Sequence, residues 1–161
     1  MRSKITKRLA LITMIPATLL GLVMVAAPAS AAVVSEAKML GDIAYLTNKQ
    51  RALHGCKPVR IDARLTTAAR AHSAFMARSG SFSHTGNGGS TFAYRVKAAK
   101  YPRPLSENIA FGYRSGLDVM KAWLASPGHR ANLLNCKATT VGVGAVYSPN
   151  GNPYFTQDFG Y

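Results

Sequence analysis

Thr139-Thr-Val-Gly-Val-Gly-Ala-Val-Tyr147, then Ser148-Pro-Asn-Gly-Asn152, then Tyr154-Phe-Thr-Gln-Asp-Phe159 is the stretch that decides the fold class. β-Branched and aromatic residues alternate with Gly or polar ones on both sides of a Pro-Asn-Gly turn, which predicts an antiparallel hairpin. Upstream the apolar period lengthens to that of helices. Met39, Ile43, Leu46 and Ala52/Leu53 recur three to four residues apart until Gly55 and Pro58 end the run. Asp62 caps a second helix with the stripe Leu65, Ala68/Ala69, His72 and Phe75/Met76, closed by Gly80. Ser90 is the expected cap of a short helix that reaches Lys100 before Pro102 and Pro104 break it. Leu105 to Gly112 read as irregular or strand. Ser115-Gly-Leu-Asp118 is a capping box opening a helix with Met120, Trp123 and Leu124, which Pro127-Gly128 ends; Asn132 to Leu134 form a brief helical turn. Helices first and strands last predict an α+β domain, its helices covering a small antiparallel sheet.

The 161 residues suffice for one domain. Arg2, Lys4, Lys7 and Arg8, the apolar run Leu9 to Ala27 and the small residues Ala29-Ser30-Ala31 read as a signal peptide over residues 1–31, cleaved after Ala31. The run is also near the length of an uncleaved anchor, but Pro16 and the cleavage site favour removal. The expected product is secreted and has no membrane span: an N-terminal segment, 32–39, and a domain, 40–161. It holds 16 Lys/Arg and 6 Asp/Glu, a charge of +10. Eleven of those bases lie between Lys49 and Arg103 with one acid, Asp62. Such a field attracts anionic envelope polymers or acidic lipid headgroups; an exported protein is not expected to meet nucleic acid.

The two cysteines, Cys56 and Cys136, are expected to form a disulfide, as an even count in an exported chain implies. In the chain-entropy model a loop this long contributes ~4 kcal/mol. Two metal thiolates are the alternative, without the close C-x-x-C spacing of common zinc sites.

Acids are scarce, so the four histidines direct the search for chemistry. His54 reads as a solvent-facing turn residue and His72 as a buried helix residue with a local partner. His84 and His129 are expected in Gly/Ser-rich loops that can aim a side chain at a shared cavity, and Glu107 stands among apolar neighbours where a carboxylate needs a partner. The alternative reading is that Glu107 serves only to lock two segments together. If the three converge, they make either a divalent metal site, with zinc held by His84 and His129, or a base and its orienter for activating water.

Nine segments follow in order: Asn48-Lys-Gln-Arg51, Cys56-Lys-Pro-Val-Arg-Ile-Asp62, Ala69-Arg-Ala-His72, Phe82-Ser-His84, Glu107-Asn-Ile-Ala-Phe-Gly112, Ala122-Trp123, Ser126-Pro-Gly-His-Arg-Ala-Asn132, Val141-Gly-Val-Gly144 and Phe155-Thr-Gln-Asp-Phe-Gly160. Together they resemble the bacterial branch of the CAP (SCP/PR-1-like) domain from about residue 40 onward. The resemblance implies a three-layer α-β-α sandwich with a central cavity. It matches His84 to the family's first His and Glu107 to its Glu-Asn motif. Tyr154 stands where the eukaryotic branch has its second His and Ser126 where it has its second Glu, with His129 as the expected spatial substitute. The expected function is a cell-envelope or extracellular binding module whose cavity holds a small ligand or ion. The alternative is a metal-assisted hydrolase, directed at protein or cell wall, using the same residues.

Overall fold

The computed structural model describes residues 33–161, so the signal-peptide expectation lies outside the described residues. Helix α1, Glu36–Leu53, starts where the Ser35 hydroxyl accepts the Lys38 N–H. Strand β1, Arg60–Ile61, leads straight into α2, Ala63–Ser79, which Asp62 caps and Gly80 closes in the left-handed region at φ 70°. A 3₁₀ turn, Asn87–Gly89, precedes α3, Phe92–Ala98. Next come β2, Pro104–Phe111, α4, Gly116–Ala125, and α5, Pro127–Leu133. The hairpin β3, Thr140–Tyr147, and β4, Pro153–Gly160, closes the domain.

Three local outcomes depart from expectation. The sheet, in the order β1-β3-β4-β2, is mixed, because β1 runs parallel to β3 through Arg60↔Thr140 and Ile61↔Val141. Two residues carry no period to read; only the bonds from Arg60 N–H to the Thr139 carbonyl and from Asp62 N–H to the Val141 carbonyl define the strand. Thr91, not Ser90, caps α3, since the Ser90 backbone closes the preceding glycine turn by accepting the Gly86 N–H. Pro127 opens α5 instead of merely ending α4: proline suits a first helical position, where an N–H has no helical partner. His129 therefore stands on a helix rather than in a loop.

Strand alternation sorts the side chains into two cores. Phe155 and Phe159 of β4 pack with Met39 and Ile43 of α1, Val119 and Trp123 of α4 and Leu133 of α5. On the other face Tyr154 meets Met76 of α2, and Ser73 of α2 donates its hydroxyl hydrogen to Thr156. The result is an α-β-α sandwich with α2 and α3 on one side and α1, α4 and α5 on the other. The disulfide Cys56–Cys136 joins positions 80 apart, tying the end of α1 to the approach to β3.

Candidate functional site

Glu107 lies in the edge strand β2 on the α2/α3 face, its side chain 2% exposed. Two nitrogen donors from different elements reach it. His84, in the connection after α2, donates from Nδ1 to Oε1 at 2.8 Å, and Arg95 of α3 donates from Nη2 to Oε2 at 2.6 Å. Arg95 also donates from Nη1 to the carbonyls of His84 and Ser90, at 3.0 and 2.8 Å. One guanidinium thus positions the loop and the helix and neutralises the carboxylate, which satisfies the need of a buried charge for a partner. With Nδ1–H committed, Nε2 is the ring nitrogen with no hydrogen-bond partner among the described residues, on a side chain 57% exposed.

Two further polar residues border Glu107. Asp158 of β4 is its cross-strand partner and is 1% exposed. Burial, then the negative charge of Glu107, push the Asp158 pKa well up against the opposing pull of Arg95, so the protonated form is favoured. His72 of α2 is fully buried and donates from Nε2 to the Ser83 carbonyl at 2.9 Å, as a buried helix histidine with a local partner should. Burial pushes its pKa down, keeping the ring neutral. Among the described residues Asp158 Oδ1 and His72 Nδ1 have no hydrogen-bond partner.

These environments give stability opposite pH slopes. The folded protein holds the Asp158 proton to higher pH than the unfolded chain does. Its contribution is therefore present below the ordinary aspartate range and is lost as pH rises through the raised pKa. For His72 and His129, both with lowered pKa, the contribution is present above the ordinary histidine range and is lost as pH falls. Asp158→Asn removes that loss, so above the ordinary aspartate range its melting temperature should fall less, or rise more, with increasing pH than wild type's. An unchanged slope in circular-dichroism melts would refute this.

His129 belongs to a different wall. Its ring lines a cleft of about 330 Å³ that wraps around the outer edge of β2, with Phe82, Ile109, Phe111, Trp123 and Ser126. Of the three residues expected at a common cavity, His129 lines this cleft, whereas His84 and Glu107 bind each other beside it. Burial, then the nearby His84, lower the His129 pKa. Its ring centroid lies 6.4 Å from that of Trp123, and Phe111 links Phe82 and Tyr154 with centroids 6.2 and 4.5 Å apart.

Polar side chains seal the β2 edge behind the cleft. Trp123 Nε1 donates to the Ile109 carbonyl at 3.0 Å and Asn132 Nδ2 to the Glu107 carbonyl at 3.2 Å. Asn132 also donates to Asn108 Oδ1, Asn108 donates to Gln157 and to the His129 carbonyl, and Gln157 donates to Thr47 of α1. This buried chain fixes α5, and with it His129, against the sheet.

The residues do not fit the expected zinc. Glu107 spends both oxygens on His84 and Arg95, and the Arg95 guanidinium repels a cation there. Among the described residues no group of three or more His, Cys, Asp or Glu side chains is placed to hold a metal ion. Sequence reasoning passed over Arg95 and Asp158 as site residues. No local signal marks Arg95; for Asp158, alternation within the hairpin puts it on the same buried face as Thr156.

A profile for the CAP family, described as the cysteine-rich secretory protein family, matches residues 44–159. YkwD, an uncharacterized protein of Bacillus subtilis, is 38% identical over 118 residues, covering 73% of this chain and 45% of that protein. An extracellular protein containing an SCP domain from Bacillus anthracis superposes with a TM-score of 0.71 at 32% identity, covering 78% of this chain and 41% of that one. An outer surface protein of Borrelia burgdorferi shares the fold with a TM-score of 0.72 at 20% identity, over 79% of this chain and 95% of that one. The chain thus spans less than half the length of YkwD and of the Bacillus anthracis protein. Among the described residues no helix is long and apolar enough to cross a membrane.

Proposed function

The chain belongs to the CAP family, the cysteine-rich secretory proteins, and from that premise we propose that it is an extracellular binding module whose aromatic cleft takes a small, largely apolar ligand. The observation that carries this is the cleft itself. Phe82 and Phe111 stand 52% and 42% exposed at its mouth, Trp123 forms its buried wall, and Ser126 and His129 supply a few polar groups. Exposed aromatic surface in a concavity, with sparse polar groups to orient a guest, is the usual make-up of a small-molecule site. The extracellular placement rests on the expected signal peptide and on the disulfide.

Trp123 is the single tryptophan, so its fluorescence reports on the cleft. Anilinonaphthalene sulfonate is expected to quench Trp123 on binding, and Phe111→Ser to weaken that binding about tenfold through lost apolar burial. Undiminished binding in Phe111→Ser would place the dye elsewhere and remove the support.

A second reading is favoured by the His84–Glu107 contact, a ring oriented by a carboxylate with Nε2 open to solvent: hydrolysis with His84 as general base. Arg95 weakens it by neutralising the orienting charge. Turnover of peptidoglycan, casein or lipid esters that both His84→Ala and Glu107→Gln abolish would establish the hydrolase. Absence of turnover, with dye binding retained, favours the binding module.

A further inference from the structure

The opposite edge of the sheet carries a cleft of another character. Where β1 pairs with the start of β3, Arg60, Arg64, Arg103, Tyr101, Thr139 and Tyr161 line a concavity of about 270 Å³. We propose that this cleft binds the phosphodiester groups of an anionic glycerol phosphate polymer. The proposal goes beyond the aromatic-cleft reading and uses none of its residues.

Its lining carries three arginines and one acidic side chain. Asp62 is the acid of the lining, and it is spent on Arg64, with contacts of 3.0 Å to Nε and 2.7 Å to Nη2, and on capping α2. Arg60 and Arg103 make no ion pair among the described residues. Two guanidiniums therefore present free donors in the planar fork that suits phosphate oxygens.

The lining is also held in place before any ligand arrives. Tyr101 is buried; its hydroxyl bonds to Thr140 and donates to the main-chain oxygen of Tyr161 at 2.7 Å. It lies so close over Gly160 that a Cβ there would fall within 2.4 Å of its ring, so the floor requires glycine. Arg64 rests over the Tyr101 ring at 5.0 Å and Arg103 over the Tyr161 ring at 5.4 Å. Stacking and the Asp62 bonds restrict these side chains, which lowers the entropy lost on binding.

Two features select among phosphate-bearing partners. The concave shape admits a flexible chain, whereas a planar bilayer meets its rim. Tyr101 is buried beneath Arg64, and Arg103 lies over one face of Tyr161, which limits the aromatic platform on which a nucleobase could stack. The surrounding excess of Lys and Arg from Lys49 to Arg103 steers a polyanion towards this edge.

The test titrates the purified protein with a glycerol phosphate hexamer at low salt. Parallel arms use oligothymidylate with the same number of phosphates and phosphatidylglycerol vesicles. Arg60→Gln/Arg103→Gln is expected to weaken hexamer binding by about tenfold or more. Arg78→Gln/Arg114→Gln, the same charge change at two arginines outside the cleft lining, should weaken it by less than about threefold. All four arginines are exposed, so melting temperatures should stay unchanged. Inorganic phosphate should compete, and dye binding at the aromatic cleft should be unaffected, which keeps the two readings separable. Equal losses in both double variants would overturn the proposal in favour of diffuse attraction. Failure to bind the hexamer, or tighter binding of oligothymidylate or vesicles, would overturn it as well.

Discussion

Gly142→Ala is expected to destabilise the protein by about 3–5 kcal/mol, a large share of the margin by which a domain of this size folds. A Cβ at Gly142 would lie 2.1 Å from the carbonyl carbon of Leu65 and 2.2 Å from the amide nitrogen of Thr66, both backbone atoms of α2. A side-chain neighbour could rotate away; a helix backbone cannot. Relief would require lifting α2 off β3, opening the core that Leu65, Ala68 and Val96 share. The glycine is needed for closeness and not for its dihedrals, since its φ is not in the left-handed region. Gly144 repeats the arrangement one pleat later, its Cβ position 2.5 Å from the Ala69 carbonyl carbon. Gly41 supplies the contrast: exposed within α1, with nothing within 4 Å of its Cβ position. Gly41→Ala should stabilise by about 0.5–1 kcal/mol through helix propensity alone. In thermal melts the Gly142 variant should lose about 10–20 °C. A loss of no more than about 2 °C would mean that α2 is not held as closely as the structure shows.

Arg51→Met should be comparably damaging, at about 3–5 kcal/mol. Arg51 is fully buried on α1 and has no carboxylate partner among the described residues. Four carbonyls solvate it instead: Nε donates to Lys57 at 3.0 Å, Nη1 to Leu133 and Asn135 at 3.0 and 2.9 Å, and Nη2 to Ala138 at 3.0 Å. Burial pulls its pKa below the usual arginine value, yet the charge-assisted bonds organise both segments that the disulfide joins. Methionine fills much of the volume and leaves those carbonyls without their donors. Lysine should not rescue, because a single ammonium cannot reach four acceptors spread around a planar fork. Urea denaturation of Arg51→Met and Arg51→Lys, each with the disulfide intact and reduced, measures the effect. Full stability in Arg51→Lys would show that the charge matters and the fork does not.

The histidine and glutamate singled out from sequence meet because a scarce acid among apolar residues needs a hydrogen-bonding partner, a rule that holds whatever the fold. His84 supplies one, as the motif order suggested. The identity of the second partner was not legible: Arg95 is one of eleven bases between Lys49 and Arg103, and nothing in its neighbours distinguishes it. The helical setting of His129 was missed because Pro127-Gly128 signals an end and a beginning equally well.

Sequence alone determined what depends on neighbours a few residues apart. The caps at Asp62, Gly80 and Ser115 and the β3–β4 hairpin follow from local hydrogen bonding and side-chain periods of about two and 3.6. The tertiary structure decided the parallel pairing of β1, the facing of Glu107 and Asp158 and the aromatic wall around Phe111. It also decided the gathering of Arg60, Arg64 and Arg103 at one edge. Each of these joins residues far apart in the chain, and such contacts form only when packing of the layers brings them together, leaving no periodic trace in the residues themselves.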